Sequence, residues 1–263
     1  ADLMYDIVMN WSWGNSESPD IYHDTETRKN SISFRSNMAR LAEKLIEENK
    51  NKKAKNILDL AMEKMPLDYF GYYSLLVPFV DTYYRLEAIS SAQNLAKKVA
   101  AKYRDELEYF ASLTPSDQFM MGEEIITQIE RYRTLVEAIL IHEDQELLKS
   151  ELNLFTASIE TFMSLYGDYD YYTSLTDFVE GYYLSGQEEK AEKLAVSIVL
   201  QYEQRFGMIA KFSKSNKKLF FDRIKGEVLD FQELIYRIEF MGFTDFADSL
   251  QKRFDQAMEQ FEL

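Results

Sequence analysis

The chain has 263 residues, 46% of them hydrophobic, which is enough for one large core or two smaller ones and excludes disorder. Its nine Gly and four Pro fall well under the roughly 12% usual for these two residues together, so turns are few and helices long. A net charge of -15 argues against nucleic acid as a partner, and zero cysteine excludes disulfides, thiolate nucleophiles and Cys-based zinc sites.

Residues 1–30 are the least periodic stretch. They hold both tryptophans, Trp11 and Trp13, a Gly14-Asn15 turn and Pro19, and predict a short helix over 3–10 followed by an irregular loop to about 28. Helical spacing then sets in. Met38, Leu41, Ala42, Leu45 and Ile46 form one stripe, and Ala54, Ile57, Leu58, Ala61, Met62 and Met65 a second that ends at Pro66. The pattern predicts further helices near 69–86 and 89–110. After a Thr114-Pro115-Ser116-Asp117 break, with Ser116 or Asp117 as the cap, helices follow over about 117–142 and 144–166. The remaining helices are expected near 170–185, 188–206, 217–241 and 244–262, with a basic connector over 211–218. No alternating strand pattern and no apolar run of membrane-spanning length occurs.

The sequence repeats internally. Tyr72–Tyr103 and Tyr171–Tyr202 align without a gap, with identical pairs that include Tyr72/Tyr171, Phe79/Phe178, Tyr83/Tyr182, Tyr84/Tyr183, Ala92/Ala191, Ala96/Ala195 and Tyr103/Tyr202. One hairpin cannot bury its apolar face alone, so repeated hairpins stack. The spacings resemble the tetratricopeptide repeat, with Ala54, Ala61, Ala92, Ala96, Ala191 and Ala195 where its paired helices cross and Gly186 and Gly242 at turns; Glu87 departs from that pattern. The expected fold is therefore all-α, an α-α superhelix of stacked hairpins with a long helical insert. Its parts are an irregular segment over 1–30, two hairpins over 31–110, the insert over 111–166 and two hairpins over 167–263, forming one continuous domain.

Little in the chain points to catalysis. His23 and His142 are far apart, and Asp24-Thr25-Glu26 beside His23 has no helically spaced partner for a metal. Asp168 and Asp170 lack the rest of a calcium loop and read as helix caps. No catalytic residue, metal or cofactor is expected. The repeat tyrosines are more informative. With Tyr83 and Tyr182 core-facing, Tyr84 and Tyr183 are expected on an inner, concave wall with Asp81, Glu180, Val77 and Thr176, a groove suited to a peptide with basic or polar residues, or to a sugar. The bland alternative is that these tyrosines pack between neighbouring repeats. Lys211, Lys214, Lys217, Lys218, Arg223 and Lys225 form a basic patch that suits anionic headgroups near a membrane surface, or else is a solvated connector.

Met4-Tyr5-Asp6, Trp13-Gly14-Asn15, Pro19, Tyr22, Asp24 and Arg28, leading into Phe34-Arg35-Ser36-Asn37-Met38-Ala39-Arg40-Leu41-Ala42, carry a more specific likeness. This stretch resembles the C-terminal soluble region of a family of bacterial multi-pass membrane proteins whose membrane half is similar to protein O-mannosyltransferases. The resemblance implies a domain tethered to a membrane half on the periplasmic side of the inner membrane, with any sugar-transfer acids upstream of Ala1. The start Ala1-Asp2-Leu3-Met4, without initiator Met or signal pattern, fits an excised domain. The expected function is a non-catalytic, tetratricopeptide-like interaction domain binding protein partners or acceptor proteins. The alternative is an accessory part of a membrane-embedded glycosyltransferase that contacts lipid-linked sugar or acceptor. A structural spacer is a third reading.

Overall fold

A computed structural model describes residues 1–213, 216–217 and 221–261, with the side chains of 168–169, 221–223 and 260–261 outside the description. It is all-helical, with no strand among the described residues. The helices are α1 (Asp2–Met9), α2 (Thr25–Glu47), α3 (Asn51–Lys64), α4 (Leu67–Phe70), α5 (Val77–Arg85), α6 (Ile89–Ala111), α7 (Pro115–Met120), α8 (Gly122–Ile141), α9 (Gln145–Glu160), α10 (Met163–Tyr166), α11 (Asp168–Thr173), α12 (Thr176–Leu184), α13 (Glu188–Ala210), α14 (Phe221–Phe240) and α15 (Thr244–Phe261).

Four expected helices are broken, with 117–142 divided between α7 and α8 and 144–166 between α9 and α10. The one over 69–86 is interrupted where Gly71 (φ 64°) and Tyr72 (φ 48°) turn left-handed, and the chain passes through a 3-10 turn, Tyr73–Leu76, before α5. The one over 170–185 is likewise split between α11 and α12. The cap of α7 is Thr114, whose Oγ1 accepts from the Asp117 amide at 3.3 Å, rather than Ser116 or Asp117.

The chain divides into two compact units, one of Ala1–Phe110 and Glu123–His142, the other of Ala111–Gly122 and Glu143–Leu263. In the first, the α2–α3 hairpin buries Met38, Ala42 and Leu45 with Ala54, Ile57, Leu58 and Ala61. Phe79, Val80 and Tyr83 of α5, Ala92, Ala96 and Val99 of α6, and Ile125, Ile129 and Val136 of α8 extend this core. Tyr83 donates its hydroxyl to Asp59 Oδ1 on α3 at 2.9 Å, and Tyr103 stacks on Tyr132 with ring centroids 5.7 Å apart. In the second unit, Leu148, Leu152 and Phe155 of α9 are buried, as are Phe178, Val179 and Tyr182 of α12, and Ala191, Ala195 and Ile198 of α13. Phe231, Leu234 and Ile238 of α14 and Ala247, Leu250 and Phe254 of α15 complete that core. The Tyr182 hydroxyl lies 2.9 Å from Thr156 Oγ1 on α9, and Tyr202 stacks on Phe231 at 5.2 Å.

The period found in the sequence therefore runs further than residue identity does. α5, α6 and α8 end at Arg85, Ala111 and Ile141; α12, α13 and α14 end at Leu184, Ala210 and Phe240, each 99 residues later. α9 and α15 begin at Gln145 and Thr244, the same step apart. The sequence reading set 111–166 apart as an insert. The structure gives its helices counterparts, because the buried ladder Ile125, Leu135, Ile139 of α8 returns as Ile224, Leu234, Ile238 of α14 while the exposed positions between have diverged.

The joints recur as well. Two residues beyond the ends of α2, α5, α8, α12 and α14 stand Asn49, Glu87, Glu143, Gly186 and Gly242, all with φ between 52° and 92°. At Glu87 and Gly186 the same pair of hydrogen bonds closes the helix. The Glu87 amide donates to the Tyr84 carbonyl and Ala88 to Tyr83; Gly186 donates to Tyr183 and Gln187 to Tyr182, all at 2.8–2.9 Å. A left-handed backbone costs a residue with a Cβ roughly 1–2 kcal/mol, which Gly186 and Gly242 escape. Glu87→Gly should therefore raise stability by about 0.5–1 kcal/mol in denaturant unfolding. An unchanged or lowered midpoint would show that the joint is not strained.

Candidate functional site

The predicted groove residues do not form one wall. Tyr84 is 5% exposed and its ring stacks on His142 at 4.7 Å; Tyr183 is 7% exposed and stacks on Phe243 at 3.8 Å. Both tyrosines are packing residues, which corrects the expectation that they face a partner. The reason is local. Each sits in the last turn before a left-handed joint, and the ring of a residue at another joint covers it. Asp81 accepts from His142 Nε2 at 2.8 Å and lies 3.7 Å from Arg85, so it is already partnered. Val77 and Glu180 are half-buried.

Thr176 lines a different feature, a cleft of about 520 Å³ in the second unit with Asp170, Asp177, Asp230, Glu233 and Arg237. Arg237 bridges Asp177 and Glu233 at 2.6 Å each. Burial and then the neighbouring Glu233 push the Asp230 carboxyl above its ordinary range. Of the basic patch, Lys211 and Lys225 are exposed and Lys217 is half-buried. Lys214 and Lys218 lie outside the described residues, as does the side chain of Arg223. Among the described residues no group of three or more His, Asp or Glu is placed to hold a metal ion, and no helix is long and apolar enough to cross a membrane.

A predominantly apolar cleft lies in the N-terminal segment, within the first unit. Asp24 caps α2, its Oδ1 accepting from the Thr27 amide at 2.7 Å, and that hydrogen bond holds the Asp24 carboxyl below the usual carboxylate range. The cap fixes the helical register, which turns Thr27, Asn30, Ser31 and Phe34 to one face. The preceding loop folds across that face. Gly14 and Asn15 are both left-handed, and the Ser16 amide returns to the Trp13 carbonyl at 3.0 Å. Ser16 Oγ donates to the Lys64 carbonyl at 2.6 Å, and Lys64 pairs with Glu17 at 2.7 Å, so the loop is tied to the end of α3. His23 Nε2 donates to the Ser16 carbonyl at 2.8 Å, and its ring lies 4.5 Å from that of Phe70.

Together these residues enclose a cleft of about 580 Å³, within the size range of ligand sites. Trp11, Trp13 and Phe34 meet at tilts of 56–73° with centroids 5.5–5.9 Å apart. Trp11 (36%), Phe34 (39%) and Tyr22 (86%) remain open to solvent. Trp13 Nε1 is buried without a hydrogen-bond partner. Sequence reasoning did not assemble this site. The available signal was two tryptophans two positions apart in the least periodic stretch, followed by Phe34 seven residues after Thr27.

Beneath the cleft lies Arg35, fully buried. Its guanidinium donates to the Gly71 carbonyl at 2.5 Å and the Met65 carbonyl at 2.7 Å, the groups that follow α4 and α3. Burial pushes its pKa down to about 10. Comparison with protein families, with curated proteins and with solved structures finds no match for this chain.

Two outcomes follow from this geometry. Arg35→Met leaves two buried carbonyls without donors and should cost about 2–4 kcal/mol in chemical denaturation, with Arg35→Lys failing to restore the loss because an ammonium lacks the planar fork. Tyr183 has a buried hydroxyl with no partner, and burial, together with Glu192 and Glu188, raises its pKa. Tyr183→Phe should accordingly be neutral or stabilising, by up to roughly 1 kcal/mol, while Tyr183→Ala loses about 3–5 kcal/mol of packing. A Tyr183→Phe midpoint well below the parent's would assign the hydroxyl a partner.

Proposed function

We propose that this chain is a helical-repeat interaction domain, tetratricopeptide-like in its hairpins, that binds a protein or peptide partner and leaves chemistry to other parts of its parent. The observation that carries the reading is the open aromatic cleft of Trp11, Trp13, Tyr22 and Phe34, built on the first hairpin of the repeats. Large half-exposed aromatics on a rigid support are what a recognition surface needs, since they offer contact area at little entropic cost. The repeat reading is supported by Ala54, Ala61, Ala92, Ala96, Ala191 and Ala195, each fully buried on the second helix of its hairpin, where small residues let paired helices approach. The N-terminal resemblance adds a setting: a domain held at the periplasmic face beside a membrane-embedded half.

The test is a selection of displayed peptides on the full chain, repeated on a Trp11→Ala/Phe34→Ala variant of matched thermal stability. Peptides enriched on the parent should lose at least roughly tenfold in affinity for the variant, as expected of aromatic anchors. Absence of any peptide that distinguishes the two chains overturns the reading.

A further inference from the structure

A further cleft, of about 460 Å³, lies in the second unit between α9 and α13, the second helices of two consecutive hairpins. Asn153, Thr156, Ala157 and Glu160 form one wall, and Lys190, Lys193, Leu194 and Ser197 the other. Each set follows the three-and-four spacing of a single helix face. The buried Tyr171, Leu175 and Tyr182 line the inner side.

Lys190 reaches across to the α9 wall. Its Nζ donates to Asn153 Oδ1 at 2.6 Å and stands over the Tyr182 ring, 5.9 Å from the centroid. Asn153 is itself held, since its Nδ2 donates to the Lys149 carbonyl at 2.7 Å and to Gln187 Oε1 at 2.8 Å. The ammonium is therefore placed before any ligand arrives, and an ammonium has three N–H groups to give. Lys193 stands three residues further on the same face. Among the described residues neither lysine is ion-paired, in a chain where acids outnumber bases 45 to 30.

The internal repeat separates packing from recognition at this cleft. Tyr171, Leu175, Tyr182 and Leu194 recur as Tyr72, Leu76, Tyr83 and Leu95, so these residues are common to both copies. Lys190 and Lys193 stand where the first copy has Ser91 and Asn94, so the cations at these positions belong to the second copy alone.

Charge sets the sign and valence of a ligand. The lining carries two ammonium groups and one carboxylate, Glu160, which leaves a single excess positive charge. A monoanion neutralises it, whereas a dianion would bring a charge with no counterpart. A carboxylate offers two acceptor oxygens, one for each ammonium. The half-buried Met163, Tyr172 and Leu194 set apolar surface beside those groups.

We propose that the cleft between α9 and α13 binds a small monocarboxylic acid with an apolar body, its carboxylate bridging Lys190 and Lys193 and its body lying against Tyr171, Tyr172 and Leu194. The site goes beyond the interaction-domain reading and does not rest on it.

The full chain is titrated calorimetrically with phenylpropionate, with phenylpropionamide and with phenyl phosphate. Phenylpropionate should saturate the site below about 10 mM, the range open to a ligand of so few atoms. The amide, which lacks the charge, should bind at least roughly tenfold more weakly. Lys190→Ser/Lys193→Asn installs the first copy's residues at two exposed positions, and should abolish saturation while leaving the helical circular dichroism unchanged. Glu160→Gln, also at an exposed position, removes the opposing charge and should tighten binding by about twofold to fivefold. No saturation by phenylpropionate, equal binding of acid and amide, retained affinity in the double variant, weakened binding by Glu160→Gln, or tighter binding of phenyl phosphate than of phenylpropionate each overturns the assignment.

Discussion

The recurring left-handed joint organises this protein. Each time the first helix of a hairpin ends, the chain turns two residues later through positive φ, at Asn49, Glu87, Glu143, Gly186 and Gly242. At Glu87 and Gly186 the turn ties the last carbonyls of one helix to the first amides beyond it, so the next helix leaves in a set direction. Because the spacing from helix end to joint never varies, the buried faces return in register. Two of the five positions are glycine and one is asparagine, the residues that tolerate this conformation best. The two glutamates are themselves exposed; what packs is the helical turn before each.

That packing is aromatic where the joints meet it. Tyr83 and Tyr84 precede Glu87, and Tyr182 and Tyr183 precede Gly186. The first of each pair reaches back to a helix of the preceding hairpin through its hydroxyl, to Asp59 or to Thr156. The second is covered by a ring from a later joint, His142 or Phe243. Adjacent tyrosines thus secure the hairpin to its neighbours on two sides. An acidic chain cannot rely on surface charge for this, and burying large rings against one another gives both area and a defined geometry.

The first hairpin is finished differently. Where α8 carries Ile129 in its buried ladder, α2 carries Arg35, whose two carbonyl acceptors follow the ends of α3 and α4. A cation suits those positions, since carbonyls without helical partners collect at helix C-termini. The arginine holds the backbone of Met65 and Gly71 in place, and Met65 and Phe70 line the aromatic cleft. The tryptophan loop, pinned through Ser16 and Glu17 to Lys64, completes it. The first hairpin thereby carries an open aromatic cleft.

Sequence alone determined the helical class, most helix positions and the 99-residue step, because helical period and the absence of strand patterning are local properties of residue order. Ala92 against Ala191 and Tyr103 against Tyr202 were legible without coordinates. The same reasoning lost the repeat over 111–166, where only buried positions such as Ile125 and Ile224 still correspond and the exposed ones have drifted. It also set Tyr84 and Tyr183 on an open inner wall. Helical geometry gives the direction of a side chain but not what another segment brings to meet it, and His142 and Phe243 are distant in sequence. The cleft was least legible of all. Trp11, Trp13, His23, Phe34 and Phe70 share no period, and only the tertiary structure, through the Asp24 cap, the Gly14-Asn15 turn and the Arg35 clasp, brings them together.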